Sequence, residues 1–586
     1  MDTIKKLSFL LTPIERRNAL LLLLMFVIMA LIDMIGVASI LPFMAVLTNP
    51  SLIETNMILN YMYQVSNIFG VENDQEFFFA LGFLVFIILI ISLIFKAITT
   101  YIEVKFLQMC EYNVSKRLVE GYLYQPYIWF LNRNSAELGK SILSQVSIVI
   151  DIMRSLMSLI SKSIIAIALI ALLIIANPKL SMIVGLTLSL TYGIIFYFTR
   201  KYLNSLGKEN LKNDELRFIA VSEAFGAAKE IKVGGLERAY IKSYSNAAKI
   251  FAQNKAILKV ISQLPRYILE GIAFGGIMLL ILYLMSQEGS FNNAIPIISL
   301  YAFAGYRLMP VMQNIYMSLS QISFSSPSLD NLYYDIGKLN PIKNNYLEEK
   351  LSFDKEIVLN NIDFNYPNTS QKALQGISLN IPAKSTIGLI GATGSGKTTL
   401  LDIILGLLMS DKGTLEIDGE VLSKKNLRSW QRNIGYVPQH IYLSDDTIAA
   451  NIAFGVESKN INQIDIERAS KIANLHDFII NELPDKYNTT IGERGIRLSG
   501  GQRQRIGIAR AVYLNPKILI LDEGTSALDN ETEKKVMEAI NKLSKKITII
   551  LVAHRLNTVR NCDKIYKFEK GKVIAEGKFD EIINTN

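Results

Sequence analysis

Gly391-Ala392-Thr393-Gly394-Ser395-Gly396-Lys397-Thr398 decides how this chain is read. Its spacing is GxxxxGK[ST], a loop whose backbone N–H groups wrap nucleotide phosphates. In such a loop Lys397 meets the β/γ oxygens and the Thr398 hydroxyl meets Mg²⁺, with Thr399 directly behind. Residues 385–390 just upstream read as a strand and a helix is expected from Lys397, which is the context a phosphate loop requires. Further on, Lys517-Ile518-Leu519-Ile520-Leu521 is a short apolar run suited to a buried parallel strand. It ends in Asp522-Glu523, two carboxylates at the strand edge where ligands of open α/β sheets sit. Phosphoryl transfer needs a held metal and a positioned water. Asp522 suits the first task and Glu523 the second.

A chain of 586 residues is too long for one compact core and implies two domains or more. Half of the residues are hydrophobic, and a mean hydropathy of +0.28 is high for a soluble protein. The net charge of +9 is not gathered into a basic stripe with interleaved aromatics, so a nucleic-acid partner is set aside. Many basic residues flank apolar segments instead. The cysteines, Cys110 and Cys562, form no C-x-x-C pair and indicate neither a disulfide framework nor a zinc site.

Residues 77–98 are almost unbroken apolar sequence, long enough as a helix to cross a bilayer core. Comparable stretches at 19–47, 156–176, 180–198, 268–285 and 294–319 bring the expected number of spans to six. The first continues beyond the length of a signal-peptide core and is expected to stay in the protein. Residues 49–76 carry Glu54, Glu72, Asp74 and Glu76 without a Lys or Arg, whereas 99–155 and 200–260 are rich in both. By the positive-inside rule the former faces outward, and the latter two connections and both termini face the cytoplasm. Apolar and charged residues mix at helical intervals in 101–123 and 209–233, so the membrane helices are expected to extend into the cytoplasm. Turn signals at Pro126, at 132–135, at Gly226 and at Gly234-Gly235 mark two tips, each expected to hold a short transverse element.

The composition turns polar over 323–345 and Pro341 breaks any helix, which sets the linker at 330–349. The expected fold is therefore multi-domain. An all-α, six-helix transmembrane domain at 1–329 precedes an α/β P-loop domain at 350–586, whose first strand is read at 357–364.

Tyr366, the phosphate loop, Val437-Pro438-Gln439, Gly492-Glu493-Arg494-Gly495, Leu498-Ser499-Gly500-Gly501-Gln502, Leu521-Asp522-Glu523, Ser526-Ala527-Leu528-Asp529 and Ala553-His554-Arg555 together resemble an ABC transporter ATPase. With six spans upstream, the whole chain resembles an exporter-type half-transporter, an ATP hydrolase coupled to transport. The resemblance implies that Tyr366 stacks on adenine, that Gln439 links Mg²⁺ and the attacking water to the membrane domain, and that His554 contacts the γ-phosphate. It implies that Ser499, Gly500, Gly501 and Gln502 meet the nucleotide held by a partner chain, with Asp529 at the same junction. It further implies a multi-pass protein of the bacterial inner membrane, with the tips at 126–135 and 223–235 as coupling elements. One departure is Gly524, where Ala is usual; the residue stays small and no loss of activity is inferred. A chain with one phosphate loop and one signature needs a second chain, either another copy or a related subunit. A homodimer is the simplest assembly.

Leu264-Pro265-Arg266-Tyr267-Ile268-Leu269-Glu270-Gly271 and Tyr306-Arg307-Leu308-Met309-Pro310 are similar to flippases for lipid-linked oligosaccharides. Arg307 falls about 20 Å from the outer end of its helix, where a pyrophosphate would suit it. Arg266 and Glu270 stand four apart on one face and either pair with each other or meet the substrate. Asp33 and Lys162 are expected to satisfy structural partners or reach toward water. Two other readings stay open, an exporter of lipids or hydrophobic drugs and a non-transporting sensor or channel gated by ATP.

Overall fold

The computed structural model describes residues 2–39, 43, 46, 52–67, 71, 73–176, 178–286, 291–339, 351–367, 369, 371–492, 495–524, 528–544, 546–553 and 556–583. These fall into two compact units, residues 1–125 with 132–342, and residues 126–131 with 343–586.

The described residues of the first unit form helices and the turns between them. Helix α1 (Asp2–Leu10) is followed by α2 (Pro13–Ala38), which opens on Thr12-Pro13-Ile14-Glu15. The Thr12 hydroxyl accepts from the Glu15 N–H while the Glu15 carboxylate accepts from the Thr12 N–H at 2.7 Å. This reciprocal capping, with Pro in the first turn where its missing N–H costs nothing, fixes the start of α2. Residues 49–76 are not a plain loop, as α3 (Leu52–Thr55) and α4 (Met57–Asn67) form there. Leu59 is buried with Ile53, Phe77 and Leu81, and Met62 and Tyr63 pack against that small cluster. Acidic composition disguises it, because the apolar residues recur at helical rather than continuous spacing.

Helix α5 (Asp74–Leu123) is 50 residues long. That is far beyond what a bilayer needs, so its second half extends past the apolar stretch. Short helices α6 (Tyr127–Leu131, part of the second unit) and α7 (Ser135–Lys140) follow, then a π-helical turn and α8 (Val146–Ala176). After α8 come α9 (Pro178–Gly226), α10 (Ala228–Gly234), α11 (Glu237–Ser286) and α12 (Phe291–Lys338). Short helices α6 and α10 lie at the two tips marked by the turn signals. Gly235 closes α10 in the left-handed region, where a side chain would be strained. Among the described residues, three helical stretches are long and apolar enough to cross a membrane, Pro13–Gly36, Asp74–Leu123 and Ser135–Ile175. Helix α12 continues through 330–338, so the first part of the segment read as linker is helical. It packs on α8 and α9, approaching α9 so closely that a Cβ on Gly207 would lie 1.9 Å from the Phe324 carbonyl oxygen.

Among the described residues, the second unit holds two sheets. One is antiparallel, ordered β2-β1-β4-β5, with β1 (Glu356–Phe364), β2 (Leu374–Pro382), β4 (Lys412–Ile417) and β5 (Glu420–Val421). The other is ordered β10-β9-β3-β8-β7-β6 and is parallel except for β10, with β3 (Thr386–Gly391), β6 (Ile434–Val437), β7 (Ile518–Asp522), β8 (Thr548–Val552), β9 (Lys564–Glu569) and β10 (Lys572–Gly577). Side chains alternate across a strand, and here both faces are buried. Ile518 and Ile520 enter one core with Ile387, Leu389, Ile550 and Val552; Leu519 and Leu521 enter the other with Ile390, Ile549 and Leu551. A continuous apolar run at 518–521 is the consequence.

Trp430, on α14 (Leu427–Gln431), is 0% exposed and donates from Nε1 to the Ile404 carbonyl at 2.7 Å. Removing a ring of that size leaves a cavity and an orphaned acceptor, so Trp430→Ala is expected to destabilise this unit by about 3–5 kcal/mol. Hydrogen exchange on the full chain would then show β3 amides opening far more often. Unchanged protection there would contradict the packing described.

Candidate nucleotide-binding site

The parallel strands bring the motif residues to one edge. Gly391 ends β3, Asp522 ends β7, and Gln439 stands just beyond β6. Ala553 follows β8; the adjoining His554 lies outside the described residues.

Helix α13 (Lys397–Ile404) begins directly behind the loop. Gly391, Gly394 and Gly396 all have positive φ, at 153°, 80° and 104°. Two of the three are also sterically required, since a Cβ on Gly391 would lie 2.4 Å from the Phe568 carbonyl oxygen and one on Gly396 2.9 Å from that of Ala373. Lys397 is buried, its Nζ donating to the Gly391 and Ala392 carbonyls at 2.8 and 2.9 Å. Burial lowers its pKa, opposed by the nearby Glu523 and Asp522 carboxylates. Ser395 is buried, whereas Ala392, Thr393, Gly394 and Thr398 are exposed. Thr399 is buried at the root of α13, and its hydroxyl lies 3.2 Å from that of Tyr366. Tyr366 also meets Phe364 edge to face at 5.1 Å, so β1's end and the phosphate helix fix its ring together.

Asp522 is 4% exposed. Glu523 adopts φ 52°, an uncommon conformation for a residue with a side chain and one that marks functional sites. Hydrogen bonds from both backbone and side chain hold it. Its N–H donates to the Val552 carbonyl at 3.2 Å, its carbonyl accepts from Gln504 Nε2 at 3.0 Å, and its Oε2 accepts from Gln439 Nε2 at 3.0 Å. The Gln439 contact joins two motifs 84 residues apart. Gln504 was not singled out from the sequence, where no spacing links it to Glu523. Gly524 has a packing reason, as a Cβ there would fall 3.1 Å from Val437 and 3.2 Å from Leu521.

Ser499 caps α15 (Gly500–Tyr513), its hydroxyl accepting from the Gln502 N–H while the Gln502 side chain accepts from the Ser499 N–H, a capping box. The first turn therefore presents Ser499 exposed, with Gly500 and Gly501 beside it. Asp529 accepts from the Thr532 N–H at 2.9 Å, and that bond holds its carboxyl below the usual range.

No group of three or more His, Cys, Asp or Glu side chains that could hold a metal occurs among the described residues. The Thr398 hydroxyl, the Gln439 amide oxygen and the Asp522 carboxylate are hard oxygen donors of the kind that take Mg²⁺ together with phosphates.

In the helical unit Arg266 Nε donates to Glu270 Oε1 at 2.7 Å, the pairing that their spacing left open. The Arg307 side chain lies outside the described residues. Asp33 accepts from the Ser92 hydroxyl at 3.0 Å, a structural partner as expected. Lys162, half-buried on α8, lies within electrostatic reach of Lys96, Asp33 and Glu103 on α5 and α2.

Residues 39–306 match the model of the ABC transporter transmembrane region and residues 374–526 that of the ABC transporter. The chain is 30% identical to the ATP-dependent lipid A-core flippase of Ralstonia nicotianae, with 80% of each chain covered. It is 29% identical to the protein of that name from Cupriavidus pinatubonensis, again over 80% of each. Multidrug resistance protein 1 of Entamoeba histolytica is 39% identical over 47% of this chain and 22% of its own. Among solved structures, a bacterial Atm1-family ABC exporter with ATP bound matches with a TM-score of 0.77 at 21% identity, covering 97% of this chain and 96% of that one.

Proposed function

The chain belongs to the ABC transporters, and from that membership we propose that it flips a glycolipid with an anionic head group from the cytoplasmic to the outer leaflet. It is an exporter half-transporter with fused membrane and ATPase domains, and it binds ATP and couples its hydrolysis to transport. Its setting in the proposal is the bacterial inner membrane, with both termini and the ATPase domain in the cytoplasm. One chain supplies one phosphate loop and one signature, so a second chain completes the sites, and a homodimer is the simplest such assembly.

Each residue then has a task. Lys397 and the loop N–H groups hold the β- and γ-phosphates, and Tyr366 stacks on adenine. Thr398, Asp522 and Gln439 would hold Mg²⁺, which supplies charge neutralisation for the phosphates. Glu523, its Oε2 fixed by Gln439, orients the attacking water and takes its proton. His554 contacts the γ-phosphate. Ser499, Gly500, Gly501 and Gln502 close on the nucleotide of the partner subunit, with Asp529 at that junction. Domain closure then moves α6 and α10 and turns the membrane cavity outward.

The substrate reading rests on one observation, a half-buried Lys162 on α8 with Lys96, Asp33 and Glu103 all within electrostatic reach on the neighbouring helices. Ionisable side chains on apolar helices are costly and mark functional positions, and within this mixed group the two cations suit a phosphate-bearing head group. The relatives' flippase names support a lipid, and a lipid-linked oligosaccharide on a polyprenyl pyrophosphate has the required chemistry. Purified protein in nanodiscs provides the test. That lipid is expected to stimulate ATP hydrolysis, and Lys96→Ala with Lys162→Ala to remove the stimulation while basal hydrolysis stays within about two-fold. Equal stimulation by a neutral amphipathic drug, surviving both substitutions, would instead support the drug-exporter reading.

A further inference from the structure

Near the end of α12, Asp335 gathers two partners distant in sequence. Its Oδ2 accepts from the Tyr122 hydroxyl. Its Oδ1 pairs with Arg133 Nη2 at 3.2 Å, and Nη1 of the same guanidinium pairs with Glu137 Oε1 at 2.9 Å. The Asp335 side chain is 12% exposed and Tyr122 3%, so these contacts form largely out of water, where they are strong and costly to break singly. Burial foremost, and then the adjacent carboxylate, push the Tyr122 hydroxyl up, which keeps its proton in place as the donor.

Position gives this cluster its meaning. Tyr122 and Arg133 bracket residues 126–131, which cluster with the ATPase domain rather than with the helices that carry them. In that segment Ile128 packs against the core containing Ile357, Leu400 and Trp430. Asp335 lies at the last turn of the helix that leads into the ATPase domain. A second contact ties the same ends together, since a Cβ on Gly121 would fall 2.8 Å from the Leu339 side chain.

We propose that Asp335 is a positioning residue that fastens both flanks of α6 to the end of α12, so that nucleotide-driven displacement of residues 126–131 moves α5 and α12 as one body. The inference rests on the assignment of α6 as a coupling element. Loss of the clamp should then uncouple the membrane helices from the ATPase without disabling nucleotide chemistry, which a purely structural role would not do.

The test uses the full-length protein in nanodiscs, with Cys110 and Cys562 replaced and a spin label at Gln75, near the outer end of α5. The distance between labels on the two copies is measured with and without ATP and vanadate. In the otherwise unaltered protein, trapping should change that distance. Asp335→Ala should trap nucleotide within about two-fold of normal, yet lose more than about half of the distance change. The swap of Arg133→Asp with Asp335→Arg should restore it, and Arg133→Gln gives a milder version if Asp335→Ala does not fold. A full distance change in Asp335→Ala or in Arg133→Gln overturns the proposal. So does a loss of trapping in parallel with the distance change, or a swap that restores nothing. No change in the unaltered protein would remove the alternating-access reading itself, and this proposal with it.

Discussion

Glu523→Gln lowers ATP turnover by about 10²–10⁴-fold, the range that a positioned general base contributes, while ATP still binds. The substitution keeps size and leaves an oxygen to accept from Gln439 Nε2, which now reaches Glu523 at 3.0 Å. It also leaves the backbone bonds to Val552 and Gln504, so the unusual φ of 52° should persist. Only basicity is lost. Phosphate-loop contacts are untouched, and the variant should accumulate bound ATP rather than ADP. Equilibrium binding of a fluorescent ATP analogue beside steady-state phosphate release separates the two effects. Hydrolysis at the unaltered rate would remove Glu523 from its role, and loss of binding would make it structural.

Lys397→Ala acts at the earlier step and is expected to weaken ATP binding strongly and to lower turnover with it. Its ammonium lies over the loop, where it donates to the Gly391 and Ala392 carbonyls at 2.8 and 2.9 Å. Truncating one member of a desolvated charge pair costs about 2–5 kcal/mol, which is roughly 30-fold or more in ATP affinity. The cost should be large because burial already disfavours the charged amine and the phosphates are the partner that repays it. An isothermal titration with the Mg²⁺ salt of ATP measures it directly. An affinity within two-fold of the unaltered protein, roughly 0.4 kcal/mol, would mean that loop N–H groups alone carry the phosphates.

The ATPase half was legible because its chemistry is local. Residues 357–364, read as a strand, lie within β1, and the apolar run before Asp522 is β7, buried on both faces. The antiparallel sheet formed by β1, β2, β4 and β5 was not legible, since strand pairing between Ile357 and Ile417 is a matter of distant register. The same limit hid Gln504 behind Glu523 and Asp335 beside Tyr122, contacts made across 19 and 213 residues. In the helical half, length and apolarity announced the long helices. The small helices α3 and α4 escaped because Glu54 and Asn56 interrupt their apolar pattern and only folding brings Leu59 onto Phe77. Arg266 and Glu270 show the opposite case, where an i,i+4 spacing left two outcomes open and geometry chose the pair.

The proposed activity is vectorial movement of a lipid driven by ATP. It is tested most directly in proteoliposomes, by following a polyprenyl-pyrophosphate-linked oligosaccharide from one leaflet to the other, with Glu523→Gln as the control. Movement is expected to require ATP and to vanish in the control. Robust ATP hydrolysis with no movement of that lipid would contradict it.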